Sequence, residues 1–164
     1  MKRPRPPDEP DSPTAAYARA LRWLTARELS EAQVRARLAD RGFTDHAILP
    51  AVARLIQDRT IDDRRAAAAV ARTEARVRRR GPRRVMAKLI SMQIDRELAT
   101  AVVRELFGED GEDALLDTTL ERRLRGDAER LTDPRERRRV LAYLVRQGFS
   151  ASAASAAIRR RSKR

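Results

Sequence analysis

The side chain with the most chemistry to offer in this chain is arginine. Of its 37 basic residues only Lys2, Lys88 and Lys163 are lysine. A guanidinium presents a planar fork of donors that pairs bidentately with carboxylate or phosphate. The densest clusters are Arg78-Arg79-Arg80 with Arg83-Arg84, then Arg137-Arg138-Arg139, then Arg159-Arg160-Arg161 with Lys163-Arg164. A single such cluster reads most simply as a solvated helix face. Three of them, in a chain of formal net charge +13, point to a polyanionic surface, either an acidic protein groove or a nucleic-acid backbone. On charge density, Arg78, Arg79, Arg80, Arg83, Arg84, Lys88, Arg137, Arg138 and Arg139 are the expected partner-binding bases.

Other chemistry is scarce. His46 is the only histidine and follows Thr44-Asp45 at the expected start of a helix, a place that suits exposure better than proton transfer. Asp62-Asp63 could suggest a hard-cation site, but an isolated pair before a helix more often caps it. The chain has no cysteine, and its six glycines are dispersed rather than gathered into a phosphate loop. No catalytic residue, cofactor or metal is therefore expected, and the chain is read as a non-enzyme.

The elements that must position the arginines come from an internal repeat. Val34, Leu38, Phe43 and Val52 are spaced by four, five and nine residues; Val85, Leu89, Ile94 and Val103 repeat that spacing, as do Val140, Leu144, Phe149 and Ile158. A gap of four keeps two side chains on one helix face, and the gap of five leads out into a turn. Gly42 and Gly148 stand just before the third template residue, where the chain often needs a left-handed backbone. Gln93 holds that place in the middle copy and must turn less cheaply. Thr44, Asp95 and Ser150 then follow as N-caps of the next helix.

A further helix precedes each template pair, making three helices per copy. Tyr17, Ala20, Leu21 and Leu24 share a face, and Ser30-Glu31-Ala32-Gln33 has the form of a capping box. Asp62 or Asp63 caps a helix that runs through Ala66 to Val77, and Gly81-Pro82 restarts the chain. Leu116, Leu120 and Leu124 share a face, and Thr132-Asp133-Pro134 opens another helix. Alternating strand patterns are absent. The fold class is all-α: residues 1–14 form a disordered tail rich in proline and arginine, followed by repeats over 15–60, 61–110 and 111–164, with Gly108 to Asp113 as the last linker.

Residues 1–60, 61–110 and 111–164 carry 11, 12 and 14 bases against eight acids each, so positive charge climbs toward the basic C-terminal end. Aromatics make up 4% of the chain, so the core must be built mainly from Leu, Val, Ile and Ala. No apolar run is long enough to cross a bilayer, and Met1 to Pro13 lacks the apolar core of a signal peptide. A cytoplasmic protein is expected.

Ala20-Leu21-Arg22-Trp23-Leu24-Thr25-Ala26-Arg27-Glu28-Leu29-Ser30, followed by Val34, Leu38 and Arg41-Gly42-Phe43, resembles the first repeat of the RecX family, modulators of the bacterial RecA recombinase. Ile61-Asp62-Asp63, with Gly81, Arg84, Leu89 and Ile94, resembles the second, and Gln93 departs from the family's usual glycine. The likeness runs from about Ala15 to Arg160. It implies tandem three-helix repeats in an elongated, curved array of right-handed type that binds the RecA filament on DNA as a monomer. It also implies that extension of the filament is blocked and that ATP hydrolysis, strand exchange and coprotease activity are inhibited. Arg27, Glu28, Ser30, Gly42, Phe43, Asp62 and Asp63 match the family motif, and a structural role is expected for them. Single- or double-stranded DNA is a further possible partner. Two alternatives stand beside this reading: a direct DNA-binding protein of helix-turn-helix type, and a helical scaffold for an acidic partner.

Overall fold

A computed structural model of the chain describes residues 7–108 and 111–162. Among these residues there are nine α-helices and no strand: α1 (Pro13–Leu24), α2 (Glu31–Asp40), α3 (Asp45–Gln57), α4 (Asp63–Arg72), α5 (Pro82–Ser91), α6 (Arg96–Phe107), α7 (Gly111–Leu124), α8 (Pro134–Gln147) and α9 (Ala151–Ser162). A π-helical turn, Thr73–Val77, extends α4, and a short 3-10 segment, Ala128–Thr132, precedes α8. The chain divides into two compact units. One comprises residues 1–69 with 91–95, the other residues 70–90 with 96–164.

The first unit is built on α1, α2 and α3. Ala16 and Ala20 of α1 are fully buried with Val34, Leu38, Val52 and Leu55, and Tyr17, Leu21, Trp23 and Leu24 pack around them. Small residues on α1 let the helices approach closely. In the second unit Leu116, Leu120 and Leu124 of α7 meet Val140 and Leu144 of α8, Phe149 of the turn, and Ala154, Ala157 and Ile158 of α9. The apolar template is buried throughout except at Val103, where the neighbouring Val102 turns inward instead. Nine residues span two and a half helical turns, and a small rotation of α6 exchanges one valine for the next.

The turns follow their chemistry. Gly42 and Gly148 adopt φ of 93° and 99°, and Gln93 is held at 58° in the left-handed region. The capping box forms: Ser30 N–H donates to Gln33 Oε1 and Gln33 N–H to Ser30 Oγ, both at 3.2 Å. Ser150 Oγ accepts from Ala153 N–H, and Asp133 accepts from Arg135 N–H ahead of Pro134. Thr44 behaves differently from a cap. Its hydroxyl donates to Asp11 Oδ1 at 2.6 Å and its N–H to the Pro10 carbonyl, so it binds the residues before α1. Helix α1 accordingly starts at Pro13, with Ser12 as its N-cap. Residues 1–6 of the expected tail lie outside the described residues. So do 109 and 110 of the expected linker, and α7 begins at Gly111 within it.

The aspartate pair divides its work. Asp62 caps α4 by accepting from Arg65 N–H at 2.9 Å, whereas Asp63 accepts from Glu31 N–H at 2.7 Å and so caps α2. Glu28 joins the same lock through Arg65, whose Nε lies 2.9 Å from Glu28 Oε1 and whose other nitrogens donate to the Arg59 and Thr60 carbonyls. Burial pushes the Asp63 carboxyl above the usual carboxylate range, the Glu31 N–H opposes that shift, and the Glu31 and Asp62 carboxylates add to it.

Turns and caps of this kind have measurable consequences. At Gly148 an added Cβ would come within 2.6 Å of the Arg84 backbone nitrogen, so Gly148→Ala should destabilise by at least about 2 kcal/mol in denaturant unfolding. Gln93→Gly, at an exposed position already strained, should raise stability by about 0.5–1 kcal/mol. The folded Asp63 carboxyl holds its proton more tightly than the unfolded chain does, so its ionisation lowers stability as pH rises above the ordinary value of 3.8. Asp63→Asn keeps an acceptor for Glu31 N–H, and its stability relative to wild type should improve through that rise, as seen in urea melts across pH. Asp63→Ala loses the acceptor as well and should be about 1 kcal/mol less stable than Asp63→Asn throughout.

Candidate functional site

The residue that organises the first arginine cluster is an acid. At the end of α4 the helix widens into the π-helical turn, and Glu74 within it is only 2% exposed. Arg78 Nη1 donates to Glu74 Oε1 at 2.7 Å, while Arg80 Nη1 lies 2.9 Å from Oε2 in an ion pair without hydrogen-bond alignment. These contacts fix the segment that follows. Arg78 closes the turn through its N–H to the Thr73 carbonyl, and Arg79 takes a left-handed φ of 53°. Arg79 Nε is buried with no hydrogen-bond acceptor.

The chain then docks on the turn after α8. Gly81 N–H donates to the Gln147 carbonyl at 2.9 Å and Arg83 N–H to the Gly148 carbonyl at 3.1 Å. A Cβ on Gly81 would lie 2.7 Å from the Gly148 and Phe149 backbone, so only glycine permits this approach. Arg83 and Arg84 are exposed on the first turn of α5, and Lys88 is half-buried one turn further on.

Arg78 and Arg79 are brought not to Arg83 and Arg84 but to the end of α7. They line a cleft of about 550 Å³ opposite Arg122, Arg123 and Arg125, with Val77, Thr119 and Tyr143 completing its walls. No carboxylate lines it among the described residues. The Arg123 guanidinium sits 5.1 Å from the centroid of the Tyr143 ring, a cation–π contact that fixes its plane. Arg122, Arg123 and Arg125 escape a reading of the sequence because Leu124 interrupts them and Glu121 precedes them. Glu74 escapes it as well, since nothing in its spacing marks a buried carboxylate.

The other clusters are largely occupied within the fold. Arg137 donates to the Leu131 and Thr132 carbonyls and so closes the 3-10 segment. Arg139 and Arg130 both pair with Glu136 at 2.9 Å; Arg139 first and Arg130 second hold that carboxyl below its usual range. Arg138 between them is exposed. Arg160 and Arg161 pair with Asp117 and Glu121 of α7, and Lys163 and Arg164 lie outside the described residues. Of the motif residues, Gly42 and Phe43 form the first turn, Ser30 and Asp63 cap α2, Asp62 caps α4, Glu28 holds Arg65, and Arg27 is exposed. His46 is exposed too. Among the described residues no group of three or more His, Cys, Asp or Glu could hold a metal ion. No described helix is long and apolar enough to cross a membrane.

Comparison with known proteins agrees with this architecture. Residues 16–55 match the model of the first three-helix domain of RecX, and residues 62–103 match that of the second. The chain is 35% identical over 140 residues to the regulatory protein RecX of Syntrophotalea carbinolica, covering 85% of this chain and 91% of that one. It is 35% identical over 141 residues to regulatory protein RecX of Xanthomonas citri, covering 86% and 84%. It is 29% identical over 154 residues to that of Mycobacterium sp. (strain JLS), covering 92% and 84%. The fold is shared with the crystal structure of RecX from Lactobacillus salivarius, with a TM-score of 0.77, 20% identity, and coverage of 93% and 97%. With the repeat, the motif residues and the length of the match in agreement, the chain belongs to the RecX family of regulatory proteins.

Proposed function

We propose that this protein regulates the RecA recombinase by binding its filament on DNA, blocking extension and suppressing ATP hydrolysis, strand exchange and coprotease activity. The observation that carries the reading is the similarity to RecX regulatory proteins over 85% of the chain and 91% of the relative. The repeat supports it physically. Three modules, over residues 15–60, 61–110 and 111–164, can engage successive protomers of a helical filament, and linked weak contacts gain strength through effective concentration. A monomer suffices for this, in the cytoplasm where such a filament forms. Positive charge steers the protein toward DNA and toward any acidic filament surface.

Among the expected contact residues, Arg83, Arg84 and Arg138 are exposed and available to a partner. Arg78 and Arg80 are tied to buried Glu74, and Arg137 and Arg139 serve the fold. The same contact role is proposed for Arg79 and Lys88 through the backbone geometry that their neighbours fix.

The test is DNA-dependent ATP hydrolysis by RecA. Substoichiometric protein should inhibit it, and hydrolysis unchanged at excess protein over a range of salt would sink the proposal. Arg83→Glu with Arg138→Glu should weaken inhibition by about tenfold in the concentration required, while helix content by circular dichroism stays as in wild type. Unaltered inhibition by that variant would place the contact on another face.

A further inference from the structure

The arginine cleft in the second unit has features that an incidental basic surface does not. Five arginines, Arg78, Arg79, Arg122, Arg123 and Arg125, line about 550 Å³ with no carboxylate in its described lining, and Glu74 beneath pairs with Arg78 alone among them. Like charges gathered in a concave site repel one another and raise the potential inside it, a cost that a bound anion removes. One member is also incomplete. Arg79 Nε is buried with no acceptor, so its guanidinium is less satisfied within the fold than that of a fully solvated arginine. The clustering is held in place by the fold: buried Glu74 fixes Arg78, the left-handed turn fixes Arg79, and Tyr143 fixes the plane of Arg123.

The walls specify more than charge. Val77 is 74% exposed beside Arg78, and Tyr143 lies half-buried across the cleft. Guanidinium groups for phosphates, with an aromatic ring, a guanidinium plane and an apolar side chain against which bases can lie, are the ingredients of a single-strand groove. Volume selects the strand form. A space of 550 Å³ matches the clefts that take ligands of one or two nucleotides. The sugar-phosphate chain of a single strand can enter it, whereas a duplex would rest across its rim.

We propose that this cleft binds the phosphodiester backbone of single-stranded DNA, with Arg79, Arg122, Arg123 and Arg125 on the phosphates and Val77 and Tyr143 against a base. The proposal deepens the regulatory reading above by giving the protein its own grip on the strand within the filament. It is tested without RecA, so its failure and a failure to inhibit ATP hydrolysis are separate results.

The experiment is fluorescence anisotropy of a labelled oligodeoxythymidylate titrated with the full chain across a series of salt concentrations. Wild type should bind it with salt-dependent affinity. Arg122→Gln, Arg123→Gln and Arg125→Gln together should weaken binding at least about tenfold and flatten the log–log salt slope by about 2, because each phosphate left unneutralised removes about 0.7 from the slope. Val77→Asp, at an exposed position that does not threaten the core, should weaken binding in the same direction. A charge-matched variant, Arg22→Gln with Arg96→Gln and Arg146→Gln, all exposed and outside the cleft, should stay within about threefold of wild type. The proposal is overturned if the cleft variant binds like wild type, or if the charge-matched variant is weakened as much. It is overturned equally if a duplex of the same length binds as tightly as the single strand, or if polyglutamate competes as well as unlabelled oligonucleotide at equal charge.

Discussion

One contact recurs between copies of the repeat, and the rest of the fold is arranged to permit it. Ser30 stands four residues before Val34, and its hydroxyl donates to the Met92 carbonyl at 2.5 Å. Gly81 stands four residues before Val85, and its N–H donates to the Gln147 carbonyl at 2.9 Å. Met92 and Gln147 are themselves equivalent, each two residues before the third template residue, Ile94 and Phe149. The start of the second helix in one copy is therefore bonded to the carbonyl at the end of the second helix in the next. At Gly81 a backbone donor of a helix N-terminus satisfies an acceptor at a helix C-terminus, at Ser30 a side-chain hydroxyl takes the donor's part, and the helix dipoles favour both pairings. The two versions differ in what they demand. A serine hydroxyl reaches across, so Ser30 can keep its side chain and use it twice, as acceptor for Gln33 N–H and as donor to Met92. A backbone N–H cannot reach, so the Gly81 version requires bare backbone on both sides. That requirement explains Gly81 and Gly148 together, since a Cβ on either would overlap the other strand of the contact.

In the outer two copies, local residues take up comparable groups. After the first copy's turn, Thr44 N–H donates to the Pro10 carbonyl and its hydroxyl to Asp11. At the third copy the residue four before Val140 is Glu136, which gathers Arg130 and Arg139 instead of a carbonyl. Thr44 is thereby diverted from capping α3 to holding Pro10 and Asp11 ahead of α1. Arg130 and Arg139, which look like free charge along the sequence, are likewise engaged within the fold, on Glu136.

Much of the scaffold is legible in the sequence because it rests on local rules. The template spacing, the left-handed turns at Gly42, Gln93 and Gly148, the Ser30 capping box and the Asp133-Pro134 helix start each depend on residues within a few positions of one another. What is not legible depends on distance along the chain. Asp63 caps a helix that begins 32 residues earlier, a bond that no spacing rule anticipates. Val102 rather than Val103 turns inward because helix rotation is set by packing and not by count. The arginine clusters can be located as sequence but not as surface. Runs of consecutive arginines fan around a helix, since neighbours in sequence point about 100° apart, so a run does not tell which of its members will share a surface with arginines from elsewhere.

A concentrated positive site requires a different device, and the π-helical turn after α4 supplies it. An extra residue in the last turn carries the chain past the point where an α-helix would have ended and places Glu74 inside rather than on the surface. A buried carboxylate must be paired to be tolerated, and Arg78 and Arg80 from the next few residues are the groups within reach. Pairing them draws Arg79 between its neighbours into a strained left-handed conformation, with one donor out of reach of water. The acid at the base of the cluster thus fixes Arg78 and offsets one positive charge, while the other four arginines of the cleft do not touch it. Removing Glu74 would subtract one negative charge and yet disperse the positive ones, so the density of charge at this site is a property of the fold and not of composition alone.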